Sequence, residues 1–258
     1  MANRGAQALA NLAHGLRDLL FPPACAACGA PVGQDEFLCP ACQGQVEPLA
    51  APACPVCGLP GHSWLCPACQ ASPPAFDAAR SLAAHAGPLA EVVRGFKYQR
   101  RYWLGQGLAR LLGDAPRSWW ATVDLIAPVP LHPRRLVARG FNQALVLARG
   151  LPGREGPELA PRLLSRRRYT RPQVGLDPGA RRRNVAGAFA VAPNWQDRLE
   201  GAWVLLVDDV FTTGATVNEC AKALKQAGAE RVEVLTLARA AGGGRQVLDR
   251  GNNWGSCT

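Results

Sequence analysis

The fold of this chain is decided by the stretch Val204-Leu205-Leu206-Val207-Asp208-Asp209-Val210-Phe211-Thr212-Thr213-Gly214-Ala215-Thr216. Its four consecutive Val and Leu residues predict a parallel strand that is buried on both faces. The two carboxylates then fall at the carboxyl end of this strand, where open α/β sheets place their ligands. The loop after them leads into a helix predicted from about Ala215 to Ala227, and such a helix start offers backbone N–H groups to a phosphate. Because carboxylates repel phosphate, we expect Asp208 and Asp209 to face hydroxyls or a metal ion. A sugar phosphate would satisfy both halves of the motif.

This stretch resembles the phosphoribosyl pyrophosphate (PRPP) signature of the type I phosphoribosyltransferases. The resemblance implies that Asp208 and Asp209 are the catalytic residues, that they hold the ribose 2′- and 3′-hydroxyls, and that Mg²⁺ is a cofactor. It also implies that the 5′-phosphate is wrapped by the loop residues Thr212, Thr213, Gly214, Ala215 and Thr216.

Three other interpretations of the stretch compete with this one. A hydrophobic strand that ends in Asp-Asp also occurs in P-loop ATPases, but the chain contains no G-x-x-x-x-G-K-[ST] motif. Thr216 and Glu219 have the spacing of a capping box, which is compatible with a phosphate site. Finally, the two carboxylates could simply end a strand.

Composition limits the class of protein. With 258 residues, of which 48% are hydrophobic, the chain can build one full core and a small satellite domain. We expect residues 1–20 to form an amphipathic helix and not a signal peptide, because His14, Arg17 and Asp18 interrupt their apolar stretch. There is no run of about 18 apolar residues, so we expect no membrane insertion. Without a secretory signal, the C-x-x-C pairs indicate metal binding in a reducing compartment, so we expect a cytoplasmic location. The glycine-rich residues 241–258 are expected to be a disordered tail.

The positive charge is concentrated in one part of the chain. The overall net charge is +10, yet residues 1–75 carry two basic against four acidic residues. From Arg94 to Arg183 there are 19 basic and five acidic residues. This clustering indicates an anionic partner, which could be pyrophosphate, a nucleotide or a nucleic acid.

Eight of the ten cysteines form four C-x-x-C pairs in an internal repeat. Each repeat has a C-x-x-C-G-x-P knuckle and a C-P-A-C-Q knuckle, and four thiolates suit a closed, structural zinc site. We therefore expect two zinc ions in a double zinc-ribbon domain over residues 21–75. The repeat favours sequential pairing, although the spacing leaves a cross-braced arrangement open. In sequential pairing, the first ion is bound by Cys25, Cys28, Cys39 and Cys42, and the second by Cys54, Cys57, Cys66 and Cys69.

Residues 76–240 alternate between helical and strand patterns, which predicts an α/β domain with a mostly parallel sheet and helices on both faces. Helices are predicted at Leu89–Tyr98, Leu104–Leu112 and Asn142–Arg149, and strands at Val123–Pro130, Phe189–Val191, Val204–Val207 and Val232–Leu237.

Spaced landmarks extend the resemblance to about residues 21–240. After the double knuckles come Phe96-Lys97-Tyr98, Pro128-Val129-Pro130-Leu131-His132, Arg139-Gly140-Phe141-Asn142-Gln143, Gln173, Arg181, Asn184 and Phe189. Together they resemble the competence protein F family (ComF/GntX type). This resemblance implies a zinc-ribbon domain, a type I phosphoribosyltransferase-like domain and a role in DNA uptake during natural transformation. It also suggests a competence helicase or other uptake machinery as a partner.

The resemblance places the pyrophosphate loop of related transferases at the turn after the strand near Val123–Pro130. The candidates for this side of the site are Pro128, Val129, Pro130, Arg139, Gln143, Arg171 and Arg181. The two prolines could instead mark a strand exit, and Arg139 could lie on a solvated helix face.

The arginine-dense segment 165–184 has the composition of a lid over pyrophosphate, and equally that of a single-stranded DNA contact. Tyr98 and Tyr169 are available for base stacking. Two hypotheses therefore stand. In the first, the protein binds PRPP and acts in DNA uptake with single-stranded DNA contact. In the second, it is an active phosphoribosyltransferase of nucleobase or nucleotide metabolism without a DNA role.

Overall fold

A computed structural model describes residues 22–34, 36–99, 101–120, 122–151, 156–170 and 177–240. Its main sheet has five parallel strands in the order β1-β7-β6-β2-β3, and a separate antiparallel pair is formed by β4 and β5. The strand bounds are β1 Ala78–Ala84, β2 Leu125–Pro128, β3 Glu158–Leu159, β4 Leu164–Arg166, β5 Phe189–Val191, β6 Trp203–Phe211 and β7 Arg231–Arg239. The helix expected at residues 1–20, the tail expected at 241–258 and the candidate Arg171 lie outside the described residues.

Helices cover both faces of the main sheet, which confirms the predicted α/β architecture. Their bounds are α1 Pro40–Gln43, α2 Pro67–Ala71, α3 Gly87–Tyr98, α4 Leu104–Gly113, α5 Pro133–Arg139, α6 Gln143–Ala148, α7 Pro178–Val185 and α8 Ala215–Gln226. Side chains alternate along β6, so Leu205 and Val207 pack with α3 and α4 while Val204 and Leu206 pack with α8. Burial on both faces is why four apolar residues follow one another. Within the described ranges, no helix has the length and apolar character needed to cross a membrane.

Two predicted strands differ from those observed. β6 does not end before Asp208, because its pairing with β7 continues through Asp208 opposite Thr236 to Phe211 opposite Arg239. The carboxylates therefore lie within the strand and not after it. The strand predicted at Phe189–Val191 forms, but it pairs with β4 outside the main sheet. The alternation of helical and strand patterns does not show whether a predicted strand joins the main sheet or a separate antiparallel pair.

The cysteine repeat of the sequence is also a repeat in the structure. Residues Ala24 and Pro31 form an isolated bridge in the first unit, and Ala53 and Pro60 form its counterpart in the second. Cys39 and Cys66 precede α1 and α2 with nearly the same backbone angles, φ −71° and ψ 159° against φ −68° and ψ 158°.

The eight cysteines gather in two groups of four, which confirms the sequential pairing. In each group the sulfur atoms all lie within 4.8 Å of one another; the groups are Cys25, Cys28, Cys39, Cys42 and Cys54, Cys57, Cys66, Cys69. The Sγ atoms of Cys28 and Cys39 are 3.7 Å apart, and those of Cys57 and Cys66 are 3.6 Å apart. A tetrahedron with Zn–S bonds of about 2.3 Å has edges of about 3.8 Å. Both groups therefore suit structural zinc.

The zinc units pack along the free edge of the main sheet, at β1. The Ala79 N–H donates to the Val56 carbonyl at 2.6 Å, and the Ala84 N–H donates to the Glu47 carbonyl at 2.8 Å. Gly58 lies so close to β1 that a Cβ atom there would be 2.6 Å from the Ala79 carbonyl oxygen. These contacts cover an edge strand that would otherwise present unpaired backbone groups.

Metal analysis of protein purified without chelator is expected to give two zinc ions per chain, one for each cysteine group. Cys39→Ser and Cys66→Ser should each lower the content by one ion, because each removes a ligand from a different group. The double variant should bind none. Wild-type protein with a single zinc, or single variants that both keep two, would contradict the two-site arrangement.

Candidate functional site

A cavity of about 400 Å³ lies at the carboxyl ends of β2 and β6. Most of the predicted site residues line this cavity, although they are spread over more than 80 residues of the chain. Those present are Val129, Pro130, Arg139, Gln143, Arg181, Asp208, Asp209, Thr212, Gly214, Ala215 and Thr216. Pro128 and Thr213 are not among the lining residues. Pro128 ends β2 and pairs with Val207, so its role in the structure is that of a strand residue.

The loop between β6 and α8 wraps around the ring of Phe211. Gly214 has a positive φ of 72°, and a Cβ atom on it would lie 2.7 Å from that ring. Only glycine fits this close approach and this left-handed backbone. Thr213 does not face the cavity but accepts a hydrogen bond from the Ala215 N–H at 3.4 Å. The loop therefore presents the amino end of α8 to the cavity, where backbone N–H groups favour an anion.

The adjacent carboxylates occupy different environments. Asp209 is 7% exposed, and its Oδ1 forms an ion pair with Lys97 Nζ at 2.7 Å. Although burial opposes the charged form of Lys97, the Asp209 carboxylate outweighs it and raises the pKa of this lysine. Burial and the adjacent Asp209 carboxylate raise the pKa of Asp208 to about 7, against the smaller opposing effect of Lys97. Asp208 is therefore close to its titration midpoint near neutral pH.

The turn after β2 is held by the start of α6. Asn142 donates from Nδ2 to the Val129 carbonyl at 3.1 Å, and its Oδ1 accepts from the Ala144 N–H at 3.1 Å. Gln143 is 2% exposed and accepts a hydrogen bond from Arg139 Nη1 at 3.1 Å. Its Nε2 atom has no hydrogen-bond partner among the described residues. Buried polar groups are nearly always hydrogen-bonded, so an acceptor atom of a bound ligand would satisfy the Gln143 Nε2 donor.

Five cationic side chains surround the two carboxylates; they are Lys97, Arg135, Arg139, Arg166 and Arg181. The two carboxylates cannot neutralise five cations, so the site keeps a net positive charge and attracts an anion. Burial, followed by the neighbouring Arg135, lowers the pKa of Arg166 to about 10, so this guanidinium remains charged at neutral pH.

The arginine-dense segment is only partly a solvated surface. Arg166 is 7% exposed, donates to Thr170 Oγ1 and stacks on Phe189 at 5.2 Å. Arg168 donates to the carbonyls of Asn184 and Ala186, at 3.2 and 2.7 Å. Both arginines therefore hold the segment together. The described parts of the segment connect β4 to β5 through α7.

Two tyrosines line the cavity beside its arginines; we call Tyr98 and Tyr169 the aromatic rim. Both are exposed by about half, at 59% and 48%. The guanidinium of Arg139 lies 5.3 Å from the Tyr98 ring, and that of Arg134 lies 5.5 Å from the Tyr169 ring. Flat rings beside cations suit the stacking of an aromatic ligand.

Lys97 and Arg135 are site residues that the sequence interpretation missed. Lys97 stands in the landmark Phe96-Lys97-Tyr98, of which only Tyr98 has a predicted role. Arg135 lies four residues before Arg139, and this spacing places both side chains on the same face of α5. Helical spacing was thus a usable signal for Arg135. Lys97 and Asp209 are 112 positions apart in the chain, so no local sequence pattern indicates their ion pair.

The raised pKa of Asp208 leads to a stability prediction. Its folded-state pKa of about 7 exceeds the ordinary value of 3.8, so the unfolded state loses its proton first and stability falls as the pH rises between these values. Asp208→Asn should therefore raise the Tm of zinc-loaded protein more at about pH 8 than at about pH 5.5. Each kcal/mol corresponds to a Tm change of about 2–4 °C. An equal effect at both pH values would show that Asp208 does not titrate near neutrality.

Two family models match separate parts of the chain. Residues 16–71 match the family model of a double zinc ribbon domain, and residues 181–254 match that of a phosphoribosyl transferase domain.

Relatives match over most of the chain. Competence protein F of Haemophilus influenzae is 35% identical over 210 residues, which cover 79% of this chain and 90% of the relative. DNA utilization protein YhgH of Salmonella typhi is 35% identical over 229 residues, with coverages of 86% and 99%. Competence protein ComFC of Streptococcus pneumoniae is 26% identical over 207 residues, with coverages of 80% and 89%. The chain therefore belongs to the competence protein F family, and it joins a double zinc ribbon to a phosphoribosyltransferase-like domain.

Proposed function

We propose that the cavity binds PRPP together with Mg²⁺. The observation that supports this most directly is that the carboxylate pair and the start of α8 line one cavity of about 400 Å³, a size suited to a small-molecule ligand. The ribose hydroxyls would donate to Asp208 and Asp209, and the 5′-phosphate would accept from the N–H groups around Gly214 and Thr216.

The pyrophosphate group would lie among the cationic residues of the same cavity. Arg135, Arg139 and Arg181 supply positive charge, and Gln143 Nε2, which has no partner among the described residues, supplies a donor. Mg²⁺, when bound, would offset the charge of the pyrophosphate oxygens. Lys97 holds the Asp209 carboxylate in place through their ion pair, which fixes one of the two acceptors before the sugar arrives. Transfer of the ribosyl group is a separate property, which product analysis with nucleobases would decide.

Replacing both carboxylates by amides should abolish PRPP binding. Each hydrogen bond to a charged group contributes about 1.5–3 kcal/mol, so Asp208→Asn with Asp209→Asn should lower the affinity about 100-fold or more. Isothermal titration with PRPP and Mg²⁺ measures this.

A matched control changes two exposed carboxylates in the same way, with Glu91→Gln and Glu158→Gln. The control should bind PRPP as the wild type does. A folded Asp208→Asn, Asp209→Asn variant with undiminished affinity would refute the PRPP assignment.

We also propose that the protein acts in DNA uptake, in the cytoplasm, and that it contacts single-stranded DNA. The names of the relatives, competence protein F and DNA utilization protein, support the first part of this proposal. The second part is supported by the aromatic rim and its arginines, since stacking and positive charge together bind single strands without sequence preference. Competence machinery, such as a helicase that feeds the strand, would be a partner.

Single-stranded DNA binding is expected to depend on the aromatic rim. Tyr169→Ala should weaken binding of a homopolymer oligonucleotide by about 1–3 kcal/mol, the range of one stacked base. Trp64→Ala is the matched control, because Trp64 is an exposed aromatic residue of the zinc-ribbon region, at 82% exposure. Fluorescence anisotropy measures both affinities. Equal losses in the two variants would rule out Tyr169 as a specific stacking site.

The same binding should be steeply salt-dependent. Arg134→Gln with Arg167→Gln should lower the slope of log affinity against log salt by about 1.4, or about 0.7 for each phosphate that is no longer neutralised. Arg94→Gln with Arg198→Gln removes the same charge at exposed ion pairs elsewhere and should leave the slope unchanged. If the slope is the same in all three proteins, this surface does not contact DNA.

A further inference from the structure

Arg239 is a buried cation at the end of β7. It is 8% exposed, and no carboxylate among the described residues forms an ion pair with it. Its Nη1 donates to the Cys57 carbonyl at 2.6 Å, and its Nη2 lies 3.7 Å from the Cys57 sulfur. The described partners of this guanidinium are thus a knuckle of the second cysteine group and an aromatic ring.

The second cysteine group needs a cation of this kind. Four thiolates around Zn²⁺ carry a net charge of about −2, which is costly to bury without a compensating charge. All four cysteines of this group are buried, whereas Cys28 of the first group is exposed to solvent. A guanidinium beside Cys57 therefore supplies charge compensation that water cannot supply at this group.

The guanidinium of Arg239 also contacts the ring of Phe211. The guanidinium lies 4.5 Å from the ring centroid, and the Ala240 N–H donates to the Phe211 carbonyl at 2.9 Å. The same ring occupies the space that a Cβ atom on Gly214 would need. A continuous chain of contacts thus runs from Cys57 through Arg239 and Phe211 to the loop that starts α8.

We propose that Arg239 is a positioning residue that couples the second zinc site to the phosphate loop, Phe211–Thr216. Loss of zinc from this site removes the charge that holds Arg239, so the support of Phe211 and of the loop weakens. Among the described residues, Arg239 contacts the second cysteine group and not the first, so loss of the first zinc ion leaves the loop ordered. The part of the proposal that concerns ligand affinity rests on the proposed PRPP binding.

Hydrogen exchange of the ligand-free protein tests the connection directly. Cys66→Ser should speed amide exchange in the loop, whereas Cys39→Ser, the equivalent change in the first site, should not. Equal acceleration in both variants, or none in either, would overturn the proposal.

A second test does not depend on removing a cysteine, which could unfold the zinc unit. Zinc release to a chromogenic chelator is followed for the wild type, Arg239→Gln and Arg239→Lys. Partners outside the ligand sphere typically change metal affinity 10- to 100-fold, so Arg239→Gln should release one of its two ions at least about tenfold faster. Arg239→Lys keeps the charge, so its rate of zinc release should lie between the rates of the wild type and of Arg239→Gln. If Arg239→Gln releases both ions at wild-type rates, or both faster, the proposal fails.

Linkage supplies a third test in the wild-type protein. If zinc supports the loop, PRPP must in turn raise the equilibrium affinity of the protein for the same zinc ion, which competition with a chelator measures. The Asp208→Asn, Asp209→Asn variant corrects for any chelation of metal by PRPP itself. If the wild type shows no PRPP binding by titration, the proposed function fails, while the exchange and release experiments without ligand still decide the role of Arg239. If PRPP binds and leaves the affinity for both zinc ions unchanged, the coupling is refuted.

Discussion

The backbone pairing of β6 with β7 is the constraint on which the rest of the structure depends. It extends from Trp203 opposite Arg231 to Phe211 opposite Arg239, past the two carboxylates. Asp208 pairs with Thr236 and Val210 with Ala238, while the Asp209 N–H donates to Asp208 Oδ1 at 2.9 Å. The backbone around both carboxylates is thereby held, and the two side chains line one cavity in different surroundings, with Asp209 bound to Lys97 and Asp208 holding a raised pKa. A flexible loop could not maintain that difference.

Opposite charges balance one another in the site. Two adjacent carboxylates repel each other, and burial strengthens the repulsion because the surroundings have a low dielectric constant. The structure offsets this with Lys97 on one side and the arginines of the cavity on the other. The arginines in turn are costly to bury and repel one another; burial first, and then the neighbouring Arg135, lowers the pKa of Arg166. A ligand that carries both hydroxyls and phosphates would relieve both kinds of repulsion at once.

The zinc units serve the main sheet as well as themselves. They cover the edge at β1 by backbone hydrogen bonds from the Ala79 and Ala84 N–H groups. They also contribute their buried cysteines to the apolar clusters on the two faces of the sheet. Each unit alone has too few large apolar side chains to bury a core. Metal binding and packing on the sheet therefore stabilise each other, and the second unit approaches the phosphate loop through Arg239.

The sequence by itself determined the features that depend on local spacing. The apolar run at Val204–Val207 indicated a doubly buried strand, the C-x-x-C repeat indicated two metal groups, and Gly214 marked the turn before a helix. Only the tertiary structure decided which side chains meet across the sheet. Lys97 reaches Asp209, β5 pairs with β4 and not with the main sheet, and Arg239 reaches Cys57. These contacts join residues far apart in the chain, and no periodicity relates them, because their positions follow from strand order and from packing between elements.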